Sequence, residues 1–162
     1  MCSQKRTDNT GEMTDEHHDA TDETAPIRFD TKIGVLLRDD LTGWQLLNVT
    51  AFLSSAIAGS VDGVMGEPYI DRDDVAYLPM FRQPVLVFSG DKNAIASAHR
   101  RALGRGLPMS IFTADLFHTG NDRDNRAAVR AVRTADLDLV GLAVYGPRNA
   151  VDKVLAGSRM HP

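Results

Sequence analysis

The chain has 162 residues and a formal net charge of −4, a length that suits one domain with a core of its own. Its single cysteine, Cys2, excludes an internal disulfide and a thiolate metal site. No apolar run approaches the roughly 18 to 20 residues that a membrane-spanning helix needs, and the polar N-terminus lacks a hydrophobic signal core, so we expect a cytoplasmic protein without membrane contact.

Residues 1–26 form an acidic tail. They contain seven acidic and two basic residues, a net charge of −5, which leaves +1 for residues 27–162. Because so few apolar side chains cannot offset the entropy cost of ordering, we expect a disordered tail followed by a single α/β domain over 27–162. His17 and His18 are neighbours on this tail and would chelate a metal ion poorly. The sequence therefore predicts no metal site, and no dinucleotide or phosphate-loop motif indicates a cofactor.

The first half of the domain predicts a strand, a helix and a hairpin. The apolar run 32–38 is typical of a strand covered on both faces. Residues 44–58 predict a helix that ends at Gly59, and because apolar residues lie nearly all round it, we expect an inner helix rather than a surface one. Residues 60–81 are rich in Gly, Pro and Asp and predict a small hairpin around the turn 71–74.

The second half continues the alternation of strands and helices. A polar turn over 115–122 separates the third strand from the helix that follows it. Four buried strands interleaved with four helices predict a three-layer α/β sandwich, with helices on both faces of the sheet. The remaining strands are predicted at 83–90, from 107 onward and at 137–146, and the remaining helices at 93–105, 122–133 and 149–156.

Two stretches follow predicted strands and are candidates for a binding pocket, because ligands of α/β folds collect at the carboxyl ends of strands. They are residues 38–45, together with the helix that follows, and residues 113–125. Gln45 and Asn48 lie three residues apart and therefore on one helical face. The structural alternative is that Gln45 is simply exposed and Asn48 bonds a neighbouring loop. The predicted binding residues are Arg38, Asp40, Trp44, Gln45, Thr113, Thr119, Asn121 and Asn125.

Some of these polar residues have an equally good structural explanation. Asp39 or Asp40 could cap the first helix, or pair with Arg38. Asn121 or Asp122 is a suitable cap for the helix that begins near position 122.

Three side chains are candidates for catalysis. His118 or Asp115 could act as the general base that activates water against an ester carbonyl. Asn48 could then stabilise the oxyanion. A solvent-exposed loop histidine without a role is an equally good explanation of His118.

The segments RDDLTGWQLLNVTAFL, PMSIFTADLFHTGNDRDNRAAV and DLDLVGLAVYGPRNAVDKVL resemble an uncharacterised bacterial family, domain of unknown function 2000, over about residues 32–158. That family looks like a relative of peptidyl-tRNA hydrolase II, and the resemblance implies a sandwich with a mixed four-stranded sheet. The strand that ends at Arg38 and the closing VGLAVYGP fit the enzyme's pattern. Its catalytic lysine has no counterpart, because Leu47 or Asn48 occupies the corresponding position.

The resemblance leaves two function classes open. One is a hydrolase of acyl or aminoacyl ester or amide bonds, with a small-molecule or acyl-tRNA-like substrate. The other is a non-catalytic module that binds a small molecule or a protein and lacks the hydrolase lysine. A homodimer built on an edge strand is compatible with both.

Nucleic-acid binding is a further open prediction. Arginines recur at helical spacing and could meet phosphates. Solvated arginines are common on helices, however, and the domain is nearly neutral, so this partner is less favoured. The arginines are Arg100, Arg101 and Arg105 in one predicted helix and Arg126, Arg130 and Arg133 in another.

Overall fold

The structure is a computed structural model that describes residues 26–162. The prediction of a disordered acidic tail, with His17 and His18, therefore falls outside the described residues apart from Pro26. None of the helices found in residues 26–162 is both long enough and apolar enough to span a bilayer.

Strands and helices alternate along the described chain, as the sequence pattern predicts. The helices are α1 (Gly43–Ser60), α2 (Lys92–Leu103), α3 (Asp122–Arg130) and α4 (Arg148–Val154). The strands are β1 (Thr31–Arg38), β2 (Tyr69–Ile70), β3 (Ala76–Tyr77), β4 (Val85–Gly90), β5 (Met109–Thr113), β6 (Leu139–Pro147) and β7 (Arg159–Met160).

The central sheet found in residues 26–162 has the order β5-β6-β1-β4-β7. β1 runs parallel to β4 and antiparallel to β6, and β6 is antiparallel to β5. The carboxyl ends of β1, β4 and β5 therefore lie along one edge of the sheet, beside the start of β6. The mixed sheet and its four main strands agree with the expectation, but the predicted number of four strands is wrong, because the sheet has five. The two-residue strand β7 adds a fifth by pairing Met160 with Phe88.

Helices cover both faces of this sheet. On one face, α1 buries Val49, Leu53 and Ile57 against β1, β5 and β6. On the other face, α2 and α4 bury side chains such as Ile95 and Val151. The predicted three-layer α/β arrangement is confirmed.

The predicted inner position of α1 is wrong. Trp44 is 62% exposed and Leu47 is 76% exposed, although both are large apolar residues. The helix contacts the sheet along only one stripe, and its opposite side faces solvent because no second layer covers it within the described residues. The helix α1 therefore carries more apolar side chains than the core of a single chain buries.

His99 on α2 is buried, and burial, aided by the positive charge of Arg100, lowers its pKa from the usual value. A histidine whose pKa is lower in the folded state stabilises the fold fully above its unfolded pKa of about 6.5, and this contribution is lost as pH falls through the folded pKa. We expect the melting temperature to fall between pH 7 and pH 5, and the His99→Gln variant to lose less over that window. Thermal unfolding by circular dichroism measures both. A fall in melting temperature of the same size with and without the His99 imidazole would contradict the assignment.

Candidate functional site

The carboxyl edge of the sheet carries a network of ion pairs. Arg38 at the end of β1 donates from Nε to Asp40 at 2.6 Å and from Nη1 to Asp138 at 3.1 Å. Lys92, at the start of α2, lies 2.9 Å from the same Asp138 carboxylate. The hydrogen bond from Lys92, with a smaller contribution from Arg38, lowers the pKa of Asp138. Arg38 and Asp40 therefore have a structural role here, since the network links the end of β1, the start of α2 and the residue that precedes β6.

The head of α1 divides its polar side chains between the helix itself and the surface. Gln45 Oε1 accepts the backbone N–H and the hydroxyl of Thr42, each at 2.9 Å. Thr50 donates its hydroxyl to the carbonyl of Leu46 at 2.7 Å. The side chains of Gln45 and Thr50 thus form hydrogen bonds within the start of the helix. Asn48, by contrast, is exposed and lines a cavity.

The loop before α3 is organised by its own side chains. Asn121 caps the helix, accepting the N–H of Asp124 at 3.0 Å and donating its amide to the Asp124 carboxylate at 2.8 Å. The Thr119 hydroxyl hydrogen-bonds the carbonyl of Leu116 at 3.0 Å and also the side-chain amide of Asn125. These bonds fix three polar residues in place beside the head of α1.

A cavity of about 390 Å³ opens between the head of α1 and this loop. Aromatic rings form part of its wall, with ring centroids 5.7 Å apart for Trp44 and Phe117, 5.1 Å for Phe112 and Phe117, and 5.8 Å for Phe52 and Phe112. The cavity is lined by Trp44, Asn48, Phe52, Phe112, Leu116, Phe117, Thr119, Gly120, Asn121, Asp122 and Asn125.

The cavity unites some of the predicted site residues and leaves others outside. Asp115 and His118 are exposed, and Thr113 is buried with a hydroxyl that has no hydrogen-bond partner among residues 26–162. The predicted residues that line the cavity are Trp44, Asn48, Thr119, Asn121 and Asn125, and those that do not are Arg38, Asp40, Gln45, Thr113, Asp115 and His118.

Sequence reasoning included Trp44 but missed the three phenylalanine side chains of this cavity, Phe52, Phe112 and Phe117. A signal for one of them exists, because Trp44, Asn48 and Phe52 recur every four residues and so share one face of α1. Phe112 and Phe117 come together only because the short 3-10 turn Ala114–His118 folds the chain back after β5. A second signal was available for Gln45, since Thr42 and Gln45 have the spacing of a capping box.

The cavity offers stacking surfaces and neutral hydrogen-bonding groups. Three asparagine amides and the Thr119 hydroxyl supply donors and acceptors. Its acidic member, Asp122, pairs with Arg126 at 2.9 Å. Over residues 26–162, no cluster of three or more His, Cys, Asp or Glu side chains could hold a metal ion. The arrangement is suited to holding an uncharged molecule.

A larger and shallower groove of about 580 Å³ lies along α3 and includes Arg123, Arg126 and Arg130. Two of these arginines face acidic neighbours, because Arg123 lies 3.3 Å from Asp124 and Arg126 pairs with Asp122. On α2, Arg101 donates to the carbonyls of Val154 and Ala156. Since these guanidinium groups already have partners, the arginine stripes give little support to nucleic-acid binding, which stays a prediction.

The fold and the cavity define a small three-layer α/β protein with an open site of amides and aromatic rings. The chain belongs to the family described as protein of unknown function (DUF2000), whose family model matches residues 31–162. It is similar to the solved structure of Atu0240, a protein of unknown function from Agrobacterium tumefaciens str. C58, with 40% sequence identity and a TM-score of 0.81. That match covers 83% of this chain and 100% of the other. No functionally curated protein matches the chain.

Proposed function

We propose that this protein is a non-catalytic module that binds a small, uncharged molecule with a planar ring and an amide-like hydrogen-bonding edge. The observation that carries this proposal is the cavity itself, which joins an aromatic wall to a rim of three asparagines. Its volume of about 390 Å³ lies within the range common for small-molecule sites.

The aromatic wall supports a planar ligand. Trp44 and Phe52 expose 62% and 52% of their surface beside the cavity. A flat ring placed against them removes apolar surface from water and gains the stacking energy of an aromatic pair. Trp44 packs edge-on against Phe117, so its position is held before a ligand arrives.

The polar rim supports a neutral ligand with both donors and acceptors. Within residues 26–162 the side-chain amide of Asn48 makes no hydrogen bond, so its acceptor and its two donor hydrogens can meet the edge of a nucleobase or a carboxamide. Asn121 and Asn125 add the donor hydrogens that remain beside their bonds to Asp124 and Thr119. A charged ligand would lose water molecules and gain only neutral hydrogen-bonding groups. Without a counter-ion, this loss of hydration carries a large free-energy cost. Among the cavity residues, Asp122 already has Arg126 as its counter-ion.

The positions of the catalytic candidates favour binding over hydrolysis. His118 and Asp115 do not line the cavity that contains Asn48, so the predicted base and oxyanion donor do not share this site. Leu47 or Asn48 stands where the hydrolase resemblance requires a lysine, and neither can supply a cation. The alternative of a module that lacks the hydrolase lysine therefore has the better support.

We expect Asn48→Ala to weaken binding of such a ligand about 5-fold to 10-fold, the loss of one hydrogen bond, and Trp44→Ala to weaken it further through lost stacking. Ligand-detected NMR and calorimetry with free nucleobases, nucleosides and nicotinamide as probes would measure the dissociation constants. His118→Ala and Asp115→Ala are matched controls near the same loop and should bind as the unaltered protein does. The proposal fails if none of these probes binds. It also fails if the purified protein cleaves peptidyl-tRNA or an aminoacyl ester and the His118 or Asp115 change abolishes that cleavage.

A further inference from the structure

An apolar trough of about 520 Å³ lies beside α1, away from the amide and aromatic cavity. Its floor includes Leu37 of β1 and Val87 of β4, and its α1 side includes Leu46, Leu47 and Ala51. The trough exists because α1 packs mainly on β1, β5 and β6, so that on this face residues 26–162 cover β4 only in part. The sheet therefore lacks part of a layer that would normally shield it from water.

The segment that joins α1 to β4 does not fill this trough. It forms the hairpin of β2 and β3, in which every residue over 67–78 is exposed. Exposure along both strands means that neither face of the hairpin rests on its own domain. The hairpin is nonetheless well organised, since the Asp71 carboxylate accepts N–H groups of Asp73 and Val75 and the hydroxyl of Tyr77 at 2.8 to 3.0 Å.

The side chains of this hairpin are unusually apolar for an exposed element. Six of them are large apolar or aromatic residues that are 49% to 86% exposed. A two-stranded hairpin of this size is at best marginally stable in water by itself, and it needs a surface to pack against. The six residues are Tyr69, Ile70, Val75, Tyr77, Leu78 and Met80.

We infer that two copies of this chain form a symmetric dimer by exchanging hairpins, with the hairpin of each protomer packed into the trough of its partner. Each chain carries both the hairpin that inserts and the trough that receives it. One twofold rotation therefore places each hairpin in the trough of the other protomer. This contact differs from the edge-strand dimer that the sequence suggested, because it uses side chains and not the open hydrogen-bonding edge of a strand.

The area available is sufficient for a stable dimer. With about 200 Å² for a large side chain and roughly 60% of each exposed, the six hairpin residues offer on the order of 700 Å² per protomer, about half of it on each face of the hairpin. The trough adds the surface of Leu47, which is 76% exposed, and of its neighbours. A standard interface buries about 800 Å² on each partner, and each protomer approaches that size by contributing both one hairpin face and one trough.

A second copy also suits the charges at this surface. The trough is lined by apolar side chains, the hydroxyls of Thr50 and Ser54, and residues His161 and Pro162, and no acidic, lysine or arginine side chain of residues 26–162 lines it. A strongly charged partner, such as a nucleic acid or a basic peptide, would find no counter-ions among these side chains. The hairpin brings its own charges mainly at the turn, where Arg72, Asp73 and Asp74 can remain in water.

Light scattering during gel filtration of the full chain tests this inference. We expect the unaltered protein at micromolar concentration to have twice the chain mass of 17.7 kDa, and Ile70→Asp combined with Leu78→Asp to have the mass of one chain. Ala51→Glu in the trough should have the same effect, while Arg72→Ser at the turn is the matched control and should remain dimeric. A one-chain mass for the unaltered protein overturns the inference. Dimers that persist in both the hairpin and the trough variants also overturn it.

A pair of cysteines tests whether the hairpin lies in the trough of the other protomer. Each chain then loses only one apolar side chain, in either the hairpin or the trough. One chain carries Leu78→Cys and another carries Ala51→Cys, each with Cys2→Ser and a different affinity tag. On oxidation of the mixture, we expect a disulfide that links one chain of each kind. The absence of that product in a dimeric sample would contradict the exchange. A double-cysteine chain that closes only within itself would show that the hairpin returns to its own trough, which also contradicts it.

Discussion

Replacing Gly141 by valine is expected to lower the free energy of unfolding by about 3 kcal/mol, the upper end of the cost of overpacking a core. A Cβ at this position of β6 would lie 2.7 Å from Cγ1 of Val49, 3.1 Å from Cδ1 of Leu53 and 3.3 Å from Cδ2 of Leu37. Two of these neighbours belong to α1, so the helix must move away from the sheet to make room. Urea denaturation followed by circular dichroism would measure the loss.

Gly59 provides the matched control for this change. It lies on the exposed side of α1 near the end of the helix, and a Cβ there would meet no atom of residues 26–162 within 4 Å. Since valine has a better helix propensity than glycine, Gly59→Val should be neutral or slightly stabilising. Equal losses in the two variants would mean that close contact between β6 and α1 is not what holds the helix in place.

The expected effect extends from stability to the candidate site. α1 carries Trp44 and Asn48 on the turns that face the loop before α3. If valine at position 141 pushes the helix outward, these two side chains move away from Phe117 and Asn125. Ligand binding should then weaken even in conditions where the variant remains folded, which makes Gly141 a positioning residue for the cavity.

The main strands could be predicted from the sequence because strands that are buried on both faces consist of continuous apolar runs. Residues 32–38 and 83–90 are such runs, and both are strands of the sheet. The strand β7 could not be predicted, because Arg159 and Met160 are two exposed residues without an apolar pattern. They pair with β4 because that strand has an open edge, which is a property of the assembled fold.

The exposed side of α1 shows a second limit. Hydrophobicity records that a surface avoids water, but it does not record which surface covers it. Leu47 and Trp44 made the helix resemble a core element, and both are exposed in the single chain. In our interpretation a partner copy covers Leu47 and a ligand covers Trp44.

The candidate site was predictable only in part, since the sequence identifies polar residues near strand ends and not their partners. Asn48 and Gln45 share a helical face, yet the amide oxygen of Gln45 accepts hydrogen bonds from Thr42 at the start of the helix and so does not face the cavity. His118 lies in the loop beside the cavity but is exposed and does not line it, whereas Phe117, its neighbour in the same 3-10 turn, does. Which of these side chains reaches the cavity depends on the geometry of a few loop residues, which the sequence pattern does not indicate.

Replacing Phe112 by alanine is expected to lower the free energy of unfolding by about 3 to 5 kcal/mol, the usual cost of truncating a buried phenylalanine. Phe112 is 4% exposed, belongs to the core between α1 and the sheet, and also lines the cavity. Its ring contacts both Phe52 and Phe117, so truncation removes support from two other wall residues. Chemical denaturation would measure the stability, and calorimetry with a bound probe would measure the affinity.

Two further variants separate the role of Phe112 in the core from its role in the cavity. Phe112→Leu keeps most of the buried volume and should cost less than about 1.5 kcal/mol. Phe52→Ala removes a ring that is 52% exposed, so its stability loss should be only about 1 kcal/mol while binding still weakens. If Phe52→Ala leaves the affinity unchanged and Phe112→Ala lowers it only in proportion to unfolding, the aromatic wall is core packing and not a recognition surface.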